Sequence, residues 1–471
     1  MDFFSFKSKS RSISYQSRAY FMGGLFLAFL VFILVRYAWI TFFPTQLREK
    51  LVDAGNRQFE TSITLDQPRA VITDRNGRPL AISIPSSSLF LLAKKMPRDI
   101  AILGKVSNKI NVPLATLVGY SKQRKGFVWL KRQMTHAEVE RIGSLRQWQD
   151  FIGIIYEPKR VYPEKDIAAQ LIGMVGSDGN GLEGIEKIYN ERLRAKPIKV
   201  EVLRDARGNY VISKPGVASK PDKEVANLNL SIDTTIQEFT QSALRDGVIK
   251  AKAKGGSAIV MDVKTGEILA MGSYPTFDLN DPPENKPEAR RFRPIMDAIE
   301  LGSVVKPMWV AKALDMGVIN PNTKIFAENG KMAVPGGYIH DTHEHGFLTP
   351  EEILKFSSNI GAYKVAQKIG KEEFYKSLML VGFGRQPGTG LPGEWGGRIQ
   401  KPQNWREMRF ANMAFGQGFA ISPLQLVHAL SIIVGGGVDR GVNLLKIDGQ
   451  KEAEAVGPPL RFIREDTSRR S

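Results

Sequence analysis

An α/β (α+β) body with helices packed around an antiparallel sheet, held to a membrane by one N-terminal helix, is the architecture this sequence predicts. Three observations carry that expectation. Ala19 to Val35 is an uncharged apolar run; Arg69 to Ala81 alternates apolar and polar residues on both sides of Asn76-Gly77; and Asp233 to Ala251 has helical apolar spacing ahead of two apolar strands within Ser257 to Met271. A helix followed by a hairpin of buried strands suggests helices layered on an antiparallel sheet. The 471 residues allow two or three domains at about 150 each, and 42% hydrophobic with 24% charged residues fits neither a disordered chain nor a multi-span membrane protein.

The apolar run resumes after Arg36 through Pro44, with Trp39, Phe42 and Phe43. It offers no small-x-small cleavage site, so residues 19–44 read as a retained transmembrane anchor rather than a cleaved signal peptide. Lys7, Lys9, Arg11 and Arg18 precede it against the single acid Asp2, which keeps residues 1–18 in the cytoplasm and puts everything after 44 outside. Arg36 can snorkel to the outer head groups. The net charge of +18 favours anionic neighbours. No zinc-finger spacing, phosphate loop or basic-aromatic motif points to nucleic acid, and an extracytoplasmic body argues against it. With no cysteine there is no disulfide and no thiolate chemistry.

Residues 45–228 read as mixed short strands and helices, with Asn76-Gly77 as a two-residue hairpin turn. The Lys/Pro-rich stretch Lys214 to Lys223 is a surface connection that marks the boundary to a second domain, 229–471. There, Asp233 or Thr234 offers an N-cap for the helix, and Lys264-Thr265-Gly266 turns between the two strands.

Ser303-Val304-Val305-Lys306 is the only Ser-x-x-Lys in the chain, at the head of a segment with helical spacing. Three residues apart on a helix, the two side chains share a face, about 5 to 6 Å between Cβ atoms. A serine needs something to take its proton, and a lysine can do so when burial or a nearby cation lowers its pKa. By itself the motif is weak, because an N-cap serine beside a surface lysine would look the same. The chain's only Ser-x-Asn, Ser357-Ser358-Asn359, follows after a helix-like stretch, Thr349 to Phe356. Ser-x-x-Lys then Ser-x-Asn is the order found in β-lactamases and penicillin-binding proteins.

The segment Glu300 to Met308 resembles the nucleophile segment of class B penicillin-binding proteins, the monofunctional peptidoglycan D,D-transpeptidases. Further matches are RAVITDRNGRPLA (69–81), RVYPEKDIAAQLIG (160–173), GLEGIEKIYN (181–190) and DVKTGEILAM (262–271). SSNIGAYKVA (357–366), GFGRQPGTGLPGE (382–394) and MAFGQGFAISPLQL (413–426) resemble the cell-division, septal branch. The resemblance implies a β-lactamase-like transpeptidase domain over 229–471, an elongated pedestal (dimerisation-type) domain over 45–228, and a bacterial inner-membrane location. It implies that Ser303 attacks the penultimate D-alanine carbonyl of a D-Ala-D-Ala donor stem peptide, with Lys306 as base. Ser357 would relay a proton to the leaving amine, and Asn359 would hold the substrate amide and steady Lys306. An amine of a second stem peptide accepts the acyl group, β-lactams acylate the same serine, and no cofactor or metal is needed. Implied partners are cell-division membrane proteins, including a glycosyltransferase.

The family's third motif, Lys-Thr-Gly or Lys-Ser-Gly on a strand lining the site, does not occur between Asn359 and Ser471, and Leu301 stands where the family usually has proline. The tail PPLRFIREDTSRRS resembles the helix before that strand, so the chain is expected to stop short of it. That would cost about 10² to 10³ in rate for a lost oxyanion donor and expose an apolar sheet edge. A truncated, non-catalytic divisome scaffold is therefore the rival expectation; a penicillin-sensing receptor fits the pedestal less well. His340, His343 and His345 cluster with Asp341 and Glu344, a thinkable zinc site, but no spacing fixes a metal geometry and the stretch reads as a polar loop. Gly435-Gly436-Gly437 reads as a loop.

Overall fold

The computed structural model describes residues 15–42, 60–123, 126–204, 210–212, 225–447 and 460–469. Helix α1 (Tyr15–Phe42) contains a stretch, Ser17–Trp39, long and apolar enough to cross a membrane, with a mean hydropathy of 2.1 and no part of its window buried in the protein. An apolar helix whose window stays unburied among the described residues needs lipid or another chain around it.

Two sheets follow. One pairs β1 (Glu60–Leu65), β6 (Ile198–Arg204) and β7 (Tyr210–Ile212) as an antiparallel ribbon. The other is built on the long strand β3 (Pro79–Leu92), flanked by β2 (Ile72–Thr73), β4 (Phe127–Met134) and β5 (Ile152–Val161), with β8 (Leu228–Asn229) parallel to β2. Between β3 and β4, α2 (Ile100–Ile110) and α3 (Leu114–Gln123) bury Leu103, Val106, Ile110 and Leu117 against Leu89 and Leu91. The hairpin expected at Asn76-Gly77 is present with one more loop residue than expected. Asp74 N–H donates to Arg78 O at 2.8 Å, and Asp74 Oδ1 accepts from the N–H groups of Asn76 and Arg78, 2.8 Å each. Gly77, at φ +86°, supplies the left-handed residue of this wider turn. An Asp side chain that bonds two downstream amides outcompetes the tighter turn.

The connection expected at 214–223 lies outside the described residues. Past it, α4 (Thr234–Lys250) starts at the expected cap: Asp233 Oδ1 accepts from the N–H groups of Thr235 and Ile236 at 3.0 and 3.2 Å. It packs on the antiparallel hairpin β9 (Gly256–Met261) and β10 (Ile268–Tyr274), and among the described residues β9 pairs on one side only. Lys264-Thr265-Gly266 closes that hairpin, with Asp262 Oδ1 accepting from Lys264 N–H at 2.7 Å and Gly266 at φ +73°. One core runs through both halves, joining Ile72, Leu80, Leu171 and Ile185 to Leu230, Ile268, Ile295 and Leu424.

Five further helices gather about α5 (Lys306–Asp315): α6 (Pro350–Lys355), α7 (Asn359–Ile369), α8 (Lys371–Leu380), α9 (Glu407–Ala414) and α10 (Pro423–Val434). Trp309 packs on Phe374 at 4.3 Å between ring centroids, and Phe374 meets Phe410 edge-on at 5.4 Å. Such aromatic contacts add about 0.5–1.5 kcal/mol each beyond area burial. They lock α5, α8 and α9 into one block. The tail docks on α5: Arg464 N–H and the Thr467 hydroxyl donate to Asp315 Oδ1 at 2.7 and 3.1 Å. The glycine triplet after α10 is a loop, in which a Cβ on Gly437 would meet Ile463 O at 1.9 Å.

Candidate active site

Ser303 lies exposed in a tight turn, Gly302–Val305, that runs directly into α5, and Lys306 is the first residue of the helix proper. Pro307 in the first turn suits a helix start, since its missing N–H has no intrahelical partner there. Gly302 needs its freedom: its φ is +60°, and its N–H donates to Gly416 O at 2.9 Å. Gly416 is pressed so closely against it that a Cβ there would stand 2.0 Å from Gly302 O. The Gly416-Gln417-Gly418 turn thereby fixes the backbone that presents Ser303. Glu300 adds a second tie, its Oε1 accepting from Gly418 N–H at 3.1 Å.

Lys306 is 1% exposed, and its Nζ reaches across to the start of α7. It donates to Ser357 O at 2.6 Å and Asn359 Oδ1 at 2.8 Å, and stands 3.1 Å from Ser357 Oγ. Burial pulls its pKa from 10.5 down to about 8, against the opposing pull of the Asp341 carboxylate. Near neutral pH the buried amine is therefore neutral far more often than that of a solvent-exposed lysine.

Ser357 has φ +54°, a left-handed conformation that a serine adopts at a cost of order 1 kcal/mol or more. It sits between α6, which ends at Lys355, and Ser358, whose Oγ caps α7 by accepting from Gly361 N–H at 2.8 Å. The sharp backbone turn aims Ser357 O and Oγ at Lys306. The helix-like stretch expected from Thr349 is α6, and it begins with a reciprocal cap between Thr349 and Glu352.

Three of the four candidate residues, Lys306, Ser357 and Asn359, thus meet through direct hydrogen bonds, and Ser303 lies one turn of backbone ahead of Lys306 on the exposed side. All three donor positions of the Lys306 ammonium face Ser357 and Asn359. Deprotonation therefore frees a lone pair within reach of a hydroxyl proton, while the other two bonds hold the amine in place.

Sequence reasoning missed Asp341. Its Oδ1 accepts from the N–H groups of Asn359 and Ile360 at 2.6 and 3.0 Å, and its Oδ2 accepts from Ser358 Oγ. Next to it, His340 O accepts from Asn359 Nδ2 at 2.9 Å. The hairpin of β11 (Lys331–Val334) and β12 (Gly337–His340) so delivers a carboxylate to the N-terminus of α7, where the helix dipole favours it. What looked like a polar loop is the clamp on the Ser-x-Asn turn. Its neighbour His345 stacks on Phe356 at 4.6 Å.

Residues 64–227 match the penicillin-binding protein dimerisation domain family, and residues 256–460 match the penicillin binding protein transpeptidase domain family. Among curated proteins, the probable peptidoglycan D,D-transpeptidase PenA of Neisseria meningitidis serogroup A is 34% identical over 423 residues, covering 89% of this chain and 71% of that protein. The peptidoglycan D,D-transpeptidase FtsI of Escherichia coli K12 is 31% identical over 446 residues, covering 92% of this chain and 74% of that protein. Among solved structures, penicillin-binding protein PBP2 of Helicobacter pylori, in its complex with MreC, superposes with a TM-score of 0.71 at 24% identity, over 87% of this chain and 82% of that one. PBP3 of Mycobacterium tuberculosis, complexed with aztreonam, gives 0.59 at 22% identity over 86% and 73%. At these identities the structural likeness is one of fold.

Proposed function

Because this chain belongs to the peptidoglycan D,D-transpeptidases of the penicillin-binding protein family, we propose that Ser303, Lys306, Ser357 and Asn359 carry out its acyl transfer. The observation that supports this most directly is the buried Lys306 amine, held at 2.6–3.1 Å by the Ser-x-Asn turn one helical turn from an exposed serine. Neutral Lys306 takes the Ser303 proton as Oγ attacks the carbonyl of the penultimate D-alanine. The tetrahedral centre collapses as the terminal D-alanine leaves with a proton delivered through Ser357 Oγ, which touches Lys306 Nζ and faces outward. Asn359 keeps Oδ1 on Lys306 and Nδ2 on His340 O, which holds the amide plane fixed. An amine of a second stem peptide then attacks the Ser303 ester, the proton path runs in reverse, and a crosslink results. A β-lactam takes the same first step and leaves a stable acyl-serine.

Residues 45–228 serve as pedestal and 229–471 as transpeptidase domain in this reading. The apolar helix anchors the chain in the inner membrane with its N-terminus in the cytoplasm, where the basic residues ahead of it belong. The septal assignment, with cell-division membrane proteins including a glycosyltransferase as partners, is supported by the FtsI relatives and by the sequence at 357–366 and 413–426. The test is labelling with a fluorescent penicillin. A covalent adduct should form and vanish in Ser303→Ala at unchanged thermal stability; folded protein that never labels, or labels equally as Ser303→Ala, overturns the proposal.

A further inference from the structure

The segments that make the candidate site are far apart in the chain: the turn that presents Ser303, the Ser357–Asn359 turn ahead of α7, and the His340-Asp341 end of the β11–β12 hairpin. Helix α9 reaches the support of each. Past its C-terminal end the chain enters the turn at Gly416, whose carbonyl accepts from Gly302 N–H at 2.9 Å, while Gly416 N–H donates to Met413 O at 3.1 Å. Its second residue, Met408, lies against the tip of the hairpin, so closely that a Cβ on Gly336 or Gly337 would stand 3.5 or 2.8 Å from its side chain. Its first residue, Glu407, bonds to α7, where the Tyr363 hydroxyl donates to Glu407 Oε1.

Of these ties the one at Glu407 is the most directional. Tyr363 lies one turn along α7 from Asn359, is fully buried, and also accepts from Gln367 Nε2 at 2.8 Å. The second carboxylate oxygen of Glu407, Oε2, accepts from Lys371 Nζ at 2.8 Å at the start of α8, and that ammonium lies 5.6 Å from the centroid of the Phe410 ring. Lys371 first and the Tyr363 hydroxyl second hold the Glu407 carboxyl below its ordinary range, so it is ionised and accepts both bonds at neutral pH. Phe410 supplies the apolar packing, meeting the rings of Tyr363, Phe374 and Trp405 at 6.0, 5.4 and 5.8 Å between centroids. Apolar contact is non-directional and lets a helix slide by fractions of an ångström, whereas charge-assisted hydrogen bonds fix distance and angle. Tyr363 has no surface with which to meet a substrate, so the network acts through the helices it joins.

We propose that Glu407, acting through Tyr363, is a positioning residue for acyl transfer: it fixes α9 against α7 and so sets the Ser303 turn at its working distance from Lys306, Ser357 and Asn359. This rests on the acyl-transfer reading given above. Without the bond, α9 keeps its apolar seat but loses its register, and the turn that presents Ser303 shifts with Gly416 while Ser357 and Asn359 stay with α7.

The test is pre-steady-state acylation of the full chain in detergent by a fluorescent penicillin, resolved into a maximal rate and a half-saturating concentration. Tyr363→Phe, which removes one hydroxyl and keeps the ring, and Glu407→Ala should each lower the maximal rate by about tenfold and leave half-saturation within about threefold. The pH midpoint near 8 that Lys306 sets should stay where it is, because Glu407 acts on distance and not on the charge of the amine. Val106→Ala, a cavity in the pedestal core, should lower the melting midpoint and leave the maximal rate unchanged. Where Glu407→Ala does not fold, Tyr363→Phe decides. A parent protein that never acylates removes the acyl-transfer reading and this proposal with it; a parent that acylates, with folded Tyr363→Phe reaching the same maximal rate, overturns this proposal alone. A loss carried entirely by half-saturation, a shifted pH midpoint, or an equal fall of the rate in Val106→Ala overturns it as well.

Discussion

Removing the Asp341 carboxylate separates the two things that side chain does. Asp341 accepts three hydrogen bonds from the start of α7 and stands close enough to Lys306 to oppose the fall in its pKa. In Asp341→Ala the N–H groups of Asn359 and Ile360 lose their acceptor and the cap at Ser358 loses its partner. A lost helix cap costs about 0.5–2 kcal/mol and a hydrogen bond to a charged group about 1.5–3 kcal/mol. With Asp341 only half-buried and water able to replace part of the loss, we expect about 2–3 kcal/mol in stability. A displaced Asn359 and Ser357 should slow acylation by about 10²-fold, since small misplacements at a reacting centre carry that cost. Asp341→Asn retains an acceptor for both backbone amides but removes the charge. Its structure should hold, and because the carboxylate raises the Lys306 pKa, its loss lowers it. Acylation requires the neutral amine, so its rate in the parent protein rises with pH through about 8; in Asp341→Asn that rise moves to lower pH. Stopped-flow acylation by a fluorescent penicillin from pH 6 to 9.5, with thermal unfolding alongside, reads both effects. Asp341→Ala acylating within threefold of the parent, or a pH midpoint unmoved in Asp341→Asn, would refute the reasoning.

Other substitutions probe the supports of the site. Gly416→Ala places a Cβ 2.0 Å from Gly302 O at a residue with φ +84°; penicillin labelling should fall at least tenfold and the melting midpoint should drop, whereas Gly441→Ala, strained in φ but with open space around it, should leave labelling intact. Glu186→Gln leaves Arg69 and Arg160 sharing a neutral partner in a fully buried position, which should cost about 3–5 kcal/mol by denaturant unfolding.

Much of this protein was legible in the linear chain because the deciding physics is local. The apolar run that forms α1, the Asp233 cap of α4, the helix that starts after Thr349, and the three-residue spacing of Ser303 and Lys306 each follow from residues within one or two helical turns. The extra residue in the Asn76 turn was missed although its cause, the reach of Asp74, is equally local. Tertiary structure alone decided the rest. The drop in the Lys306 pKa requires burial against a turn some fifty residues further along. The clamp by Asp341, the seat of Gly302 on Gly416 and the pairing of Arg69 and Arg160 on the buried Glu186 all join segments with no spacing rule between them. Sequence periodicity records which face of an element is apolar, whereas desolvation and charge pairing depend on what the folded chain brings opposite that face.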